Sequence, residues 1–283
     1  MTVSKRTSDR IPARHRLRPE AGPKPLIIAH RGASAFAPEN TLAAFELAIK
    51  QGADGLEFDV HCSADGVPMV LHDASLDRTT NGHGRVAGHD LRSLKRLDAG
   101  SWFNLRHPAH ARALYAGCHI PTLGEALELV MRRRTMAFIE IKASGERSAT
   151  VKEGIERKVL DEVDRSGAKS HACVISFHTA ALRRCREMDD GVSLGIDFTR
   201  PRLVFRLARM INARWLLPHW ALASRRLMRR AHDAGLGVLV WGSENPRILG
   251  AHLRNGADGV VTGNPLLAQT VMIAAAKKKA GRG

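Results

Sequence analysis

Residues 54–73 read DGLEFDVHCSADGVPMVLHD, and the spacing within this stretch decides the architecture. Two strand-like runs, GLEFDVHC and PMVLHD, are separated by about five residues, Ser63 to Val67. A parallel crossover needs about a dozen residues or more, so the two runs must fold back on each other as a hairpin. Asp65-Gly66 is a strong signal for the turn. The fold-back pairs Asp59 with Leu71 or His72 and draws Glu57, Asp59 and His72 together. Ionised carboxylates are costly to bury alone, so Glu57, Asp59, His61, His72 and Asp73 among apolar neighbours imply a metal, a basic partner or a catalytic pocket.

Strand-like runs alternate with helical patterns along the rest of the chain: PLIIAH, GLEFDV, PMVLHD, AFIEIK, HACVISF, VSLGIDF, RWLLPHW, VLVWG and GVVTG. Such alternation indicates an α/β fold with a parallel sheet. Removing the antiparallel return from these nine runs leaves eight, the number that closes a (β/α)8 barrel. The predicted fold is therefore one TIM barrel over residues 24–272 with an extra antiparallel strand after strand 2. Helix boundaries fit: Asn40 or Thr41 caps NTLAAFELAIKQG, which Gly52 ends, and Pro121-Thr122 precede Leu123, Ala126, Leu127 and Val130 at helical spacing.

Composition narrows the function classes. The chain of 283 residues has 44% hydrophobic content and lacks an apolar run of the ~20 residues needed to span a bilayer. Four widely spaced cysteines, Cys62, Cys118, Cys173 and Cys185, form no CxxC pair, so reduced thiols and a cytoplasmic location are expected. The net charge of +16 favours an anionic partner. Both ends are basic: residues 1–23 read as a disordered tail without the apolar core of a secretory signal, and residues 273–283 as a second tail. One tyrosine and 5% aromatics disfavour a base-stacking nucleic-acid binder.

Barrel chemistry sits where strands end, and the polar residues fall there. His30 and Arg31 close the first run, Glu57 and Asp59 lie in the second, and Glu140 and Lys142 end AFIEIK. Alternate positions share a face, so each of the last two pairs projects into one space, and three inward carboxylates call for a cation. His178, His219 and Trp241 also lie at strand ends, and His61 shares the face of Glu57 and Asp59.

The stretch HRGASAFAPENTLAAFELAIKQGADGLEFDVHCSADGVPMVLHDASLDRTTNGHG, followed by IPTLGEALELV, FIEIK, ISFHTAALRRC and ADGVVTGNPLL, resembles the glycerophosphodiester phosphodiesterases over residues 24–270. The resemblance implies a metal-dependent barrel enzyme that cleaves glycerophosphodiesters to sn-glycerol 3-phosphate and an alcohol. It makes His30 and His72 the acid and base. It makes Glu57, Asp59 and Glu140 ligands of one divalent cation, whose hard oxygens suit Mg²⁺ or Ca²⁺. Arg31 and Lys142 would bind phosphate oxygens, Trp241 would pack on the glycerol carbons, and Glu39 would support the site. No family role carries to His61, His178 or His219.

The chain departs from the family where VTGNP places Gly263 and Asn264 in place of an acidic and basic pair, and where WGSEN replaces WTVN. These changes fall on substrate contacts. The residues from Arg85 to Tyr115 lie where the family carries an insertion, modest in this chain, with SWFNLRHP available for the rim. The substrate reading thus has two forms: small glycerophosphodiesters, or lysophospholipids cleaved in a phospholipase D-like reaction at an anionic membrane surface. The second would use the basic surface and RLVFRLARM as an interfacial helix; alternatively that helix covers the barrel wall. Oligomeric state has no signature in the sequence.

Overall fold

Apolar alternation along eight strands closes the sheet on itself. The computed structural model describes residues 24–142, 154–201 and 203–280, so the N-terminal tail lies outside the described residues. The strands are β1 (Leu26–His30), β2 (Gly55–Cys62), β3 (Pro68–Val70), β4 (Met136–Ile141), β5 (Ala172–Ser176), β6 (Ser193–Phe198), β7 (Trp215–Pro218), β8 (Gly237–Trp241) and β9 (Gly259–Thr262). Their order is β1-β9-β8-β7-β6-β5-β4-β2-β3, and a parallel β1–β2 pairing closes an eight-stranded barrel that leaves β3 outside. The hairpin register sets Val60 opposite Val70, and Leu71 N–H donates to Asp59 O at 3.0 Å. Gly66, at φ +82°, turns the hairpin, and its N–H donates to Ser63 O.

Inward side chains fill the barrel as a separate core: Leu26, Ile28, Met136, Phe138, Cys173, Ile175, Trp215, Leu217, Leu239 and Val261. Glycine makes room where the taper requires it, since a Cβ on Gly195 would meet Leu217 at 2.8 Å. Outward side chains such as Leu56, Phe58, Ile139, Leu194 and Val238 pack against the surrounding helices in the larger cluster.

The main wall helices are α1 (Leu42–Lys50), α4 (Leu123–Arg133), α5 (Ile155–Arg165), α6 (Thr179–Met188), α7 (Val204–Met210), α8 (Arg225–Asp233), α9 (Pro246–Arg254) and α10 (Pro265–Ala280), with α2 (Leu91–Leu94) and α3 (Ser101–Arg106) in the β3–α4 excursion. Thr41 caps α1 through Ala44 N–H, and Thr122 with Glu125 forms a reciprocal capping box on α4. α7, within the RLVFRLARM segment, buries Val204 and Ala208 against the wall, and Phe205 lies under the Arg230 guanidinium at 4.2 Å. α10 continues through Lys277–Lys279 to Ala280. In the excursion, Phe103 and Tyr115 pack on Ala37 and Ala44, and Tyr115 donates to Phe36 O at 2.9 Å, which places SWFNLR beside the β1 loop.

Candidate active site

The carboxyl ends of β1, β2 and β4 assemble the charged side of the mouth. In β2 the inward positions after Gly55 are Glu57 and Asp59, and β4 offers Glu140, which the ladder sets opposite Asp59. Carboxylate oxygens of these three residues lie within 4.8 Å of one another, and all three residues are buried. Burial and the neighbouring Asp59 push the Glu140 carboxyl up to about 7, and burial with Asp59 and Glu140 raises Glu57 well above the ordinary carboxylate range. Burial also disfavours ionised Asp59, but Lys142 and Arg31 outweigh it and hold Asp59 well below the ordinary range. Three hard oxygen donors, two of them with pKa values raised by burial and by their neighbours' charge, fit a divalent cation.

Two cations already offset part of this charge. Lys142 Nζ lies 2.9 Å from Asp59 and 2.6 Å from Glu140. Arg31 Nε lies 3.3 Å from Asp59, while its backbone N–H donates to Glu57 Oε2 at 3.1 Å. Arg31 reaches inward because its backbone adopts the left-handed conformation, φ +55°, followed by Gly32 at +83°. A Cβ on Gly32 would meet the Ala44 backbone at 2.7 Å, so glycine lets the turn press against α1. Asn40, also left-handed, donates its side-chain N–H to Asp59 at 2.8 Å.

Two histidines flank the carboxylates. His30 Nε2 stands 3.9 Å from Glu57 Oε2, and desolvation in the mouth together with Arg31 lowers its pKa to about 4. His72 follows β3, and its Nδ1 lies 2.5 Å from Asp73 Oδ1. Arg78 fixes that carboxylate with a 2.6 Å hydrogen bond and holds the Asp73 pKa down to about 2. Arg78 also donates two bonds to Glu39, which accepts from Arg31 at 3.0 Å.

The structure therefore brings together His30, Arg31, Glu39, Glu57, Asp59, Glu140 and Lys142, with His72 joined through the Arg78 network. Trp241 stands across the mouth, its Nε1–H donating to Leu217 O and its ring 5.5 Å from Phe177 and 4.9 Å from His219. His61 is buried, and its Nε2 lies 3.0 Å from His72 O, a bond that ties the hairpin to the loop after it. His178 is exposed at the start of α6. The two family departures meet each other: Glu244 of WGSEN accepts from Thr262 Oγ1 and from Gly263 N–H, at 2.5 and 2.8 Å.

Sequence reading missed two residues. Arg78, in DRTTN, lies in no strand-like run, and only its position soon after His72 and Asp73 hinted at a role. Asp197, in SLGIDF, is a buried carboxyl facing the mouth; its alternation with Gly195 and Ser193 was the available signal.

The model of the glycerophosphoryl diester phosphodiesterase family matches residues 30–267. The glycerophosphodiester phosphodiesterase of Caldanaerobacter subterraneus subsp. tengcongensis is 32% identical over 243 residues, covering 86% of this chain and 95% of the relative. Among solved structures, the glycerophosphodiester phosphodiesterase of Agrobacterium tumefaciens is similar with a TM-score of 0.72 and 29% identity, covering 86% of this chain and 98% of its own. A phosphodiesterase of Oleispira antarctica, solved in complex with the product sn-glycerol-3-phosphate, is similar with a TM-score of 0.76 and 28% identity, covering 88% and 97%. With one family model spanning the barrel and a relative matched over nearly its whole length, the chain belongs to the glycerophosphoryl diester phosphodiesterase family.

Proposed function

We propose that the protein hydrolyses small glycerophosphodiesters to sn-glycerol 3-phosphate and an alcohol, with Mg²⁺ or Ca²⁺ held by Glu57, Asp59 and Glu140. The observation that carries this reading is the buried trio of carboxylates beside a neutral His30 and the cations Lys142 and Arg31. When bound, the cation acidifies the glycerol 2-hydroxyl and offsets phosphate charge. Arg31 and Lys142 hold the non-bridging oxygens.

His30, neutral at physiological pH, takes the proton of the 2-hydroxyl as its oxygen attacks phosphorus. His72, oriented through Nδ1 by Asp73, gives its proton to the departing alcohol oxygen, leaving a cyclic phosphate. In the second step the roles reverse: His72 takes a proton from water, which opens the ring, and His30 returns a proton to the 2-oxygen. Glu39 and Arg78 position Arg31 and Asp73, and Trp241 packs on the glycerol carbons. In this reading residues 24–272 are the catalytic unit between two basic tails. With all four cysteines unpaired, the cytoplasm is its compartment. Among the described residues no helix is long and apolar enough to cross a membrane.

A second reading keeps the chemistry and takes lysophospholipids at an anionic surface. Its support is Leu203, 65% exposed at the head of α7, and exposed Phe177, beside a stretch, 198–232, that has nine arginines and no Asp or Glu.

Purified protein incubated with glycerophosphocholine and Mg²⁺, Ca²⁺ or EDTA tests the proposal. Metal-dependent release of sn-glycerol 3-phosphate that vanishes in His30→Ala and Glu57→Ala is expected. A folded sample that turns over no glycerophosphodiester with either ion would overturn it.

A further inference from the structure

Among the described residues, the cluster of charged groups lies on one side of the mouth. His30, Arg31, Glu57, Asp59, Glu140 and Lys142 come from β1, β2, β4 and the residues that follow them. The other side, from β5 to β8, carries Phe177, Leu217, His219 and Trp241, and the Phe177–Trp241 ring contact spans the sector that β6 and β7 line. Among the described residues of β6 and β7 one is acidic, Asp197 of β6. Its neighbours Leu194, Ile196 and Phe198 pack outward against the helices, so alternation turns Asp197 inward, and the ladder sets it opposite Leu217 of the barrel interior.

Asp197 is 6% exposed, and its Oδ2 is buried without a hydrogen-bond partner among the described residues. An unpaired buried acceptor is costly, and such a group in a native fold calls for a partner that arrives from outside. Asp197 also senses the charges of Glu140, Lys142 and Asp59, which places it at the edge of the charged cluster.

We propose that Asp197 is a specificity-determining residue: it hydrogen-bonds the free primary hydroxyl of the substrate's glycerol and thereby selects glycerophosphodiesters over lysophospholipids. The inference rests on the hydrolase reading above. With the phosphate on Arg31 and Lys142 and the 2-hydroxyl toward the carboxylates, the remaining glycerol oxygen points away from phosphate, toward β5–β8. A hydroxyl both donates and accepts, so it satisfies a carboxyl in either protonation state. A 1-acyl lysophospholipid carries an ester at that oxygen, which cannot donate to Asp197. A buried group built to bond a substrate hydroxyl rejects the analogue lacking it strongly, whereas an apolar wall does not.

The test compares kcat and KM for glycerophosphocholine, 1-acyl lysophosphatidylcholine and 1-deoxyglycerophosphocholine, which lacks only the primary hydroxyl. The enzymes are wild type, Asp197→Leu and Asp197→Asn, with thermal melts as a folding control. Wild type is expected to prefer glycerophosphocholine over the deoxy substrate by about 100-fold or more. Asp197→Leu should lose about that factor on glycerophosphocholine while leaving the deoxy substrate nearly unchanged, and Asp197→Asn, which can still donate and accept, should keep most of the preference. Equal losses on both substrates in Asp197→Leu would overturn the assignment alone, leaving the hydrolase reading intact. Equal kcat/KM of wild type on both would do the same, even if the leucine variant failed to fold. Absence of turnover by wild type on every substrate would overturn the hydrolase reading and this assignment with it.

Discussion

Arg78 donates two 2.8 Å hydrogen bonds to the two carboxylate oxygens of Glu39, while its Nε–H bonds Asp73. One guanidinium thus joins the carboxylate that holds Arg31 to the carboxylate that orients His72. Arg78→Ala would free Asp73 to leave His72 and leave Glu39 half-paired. The expected loss in kcat/KM is about 10–100-fold, the range for removing a group that orients site residues. Arg78→Lys should not restore it, because an ammonium cannot form this planar fork. Steady-state kinetics of both variants check this, and retention of activity within twofold in Arg78→Ala would contradict it.

The carboxylate trio makes the metal-free protein sensitive to pH in a defined direction. The Glu140 pKa is about 7 in the fold, above the ordinary value of 4.5, so between those two pH values the folded state binds more protons than the unfolded state. Metal-free stability therefore falls as pH rises through that window. A cation bound by the ionised trio reverses the trend, and at a free concentration 100 times Kd it adds about 2.7 kcal/mol. Melting curves at pH 5 and pH 8, with EDTA and with Ca²⁺ or Mg²⁺, should show the metal-induced rise growing with pH. A rise of equal size at both would exclude these carboxylates as the ligands.

Most of the fold and much of the site was legible because each rested on local spacing. The five-residue link between β2 and β3 forced the hairpin, and period-two alternation put Glu57, Asp59 and Glu140 on inward faces before any contact was known. The Arg78 network was not legible, since its partners Glu39 and Asp73 are 39 and 5 residues away and no periodicity links them. Trp241 was placed at the mouth, but the ring it meets, Phe177, depends on which strands the closed barrel sets across from each other. Glu244 shows the same limit: the altered WGSEN and VTGNP segments looked independent, yet one hydrogen-bonds the other.

Two glycines with nearly equal backbone angles should respond differently to alanine. Gly66, at φ +82°, has only Lys158 Cε near the position of a Cβ, at 3.8 Å, so the cost is the left-handed conformation, about 1–2 kcal/mol. Gly32, at +83°, would in addition drive a Cβ into the Ala44 backbone, adding about 1–3 kcal/mol of overpacking. Urea denaturation should place Gly32→Ala below Gly66→Ala. Activity should separate them further, because relief of the Gly32 clash moves Arg31, whereas the Gly66 turn lies at the far end of the hairpin.

The pH dependence of kcat/KM should have two acidic limbs that metal concentration separates. At limiting metal, protons compete with the cation for the trio, and Glu140 with its pKa of about 7 sets a limb near neutrality. Saturating metal removes that competition and leaves the base. The His30 pKa is about 4, so His30 stays neutral and able to accept a proton from about pH 5 upward, and it is protonated only as pH falls through 4. The cation's own charge opposes protonation of His30 and keeps the limb low. Rates on glycerophosphocholine between pH 4.5 and 8, at several Ca²⁺ or Mg²⁺ concentrations, should show the acidic limb moving from near 7 to below 5 as the ion saturates. A limb fixed at 6.5 regardless of metal would mean that the base is a solvated histidine, and His30 in its desolvated position beside Arg31 would not fill that role.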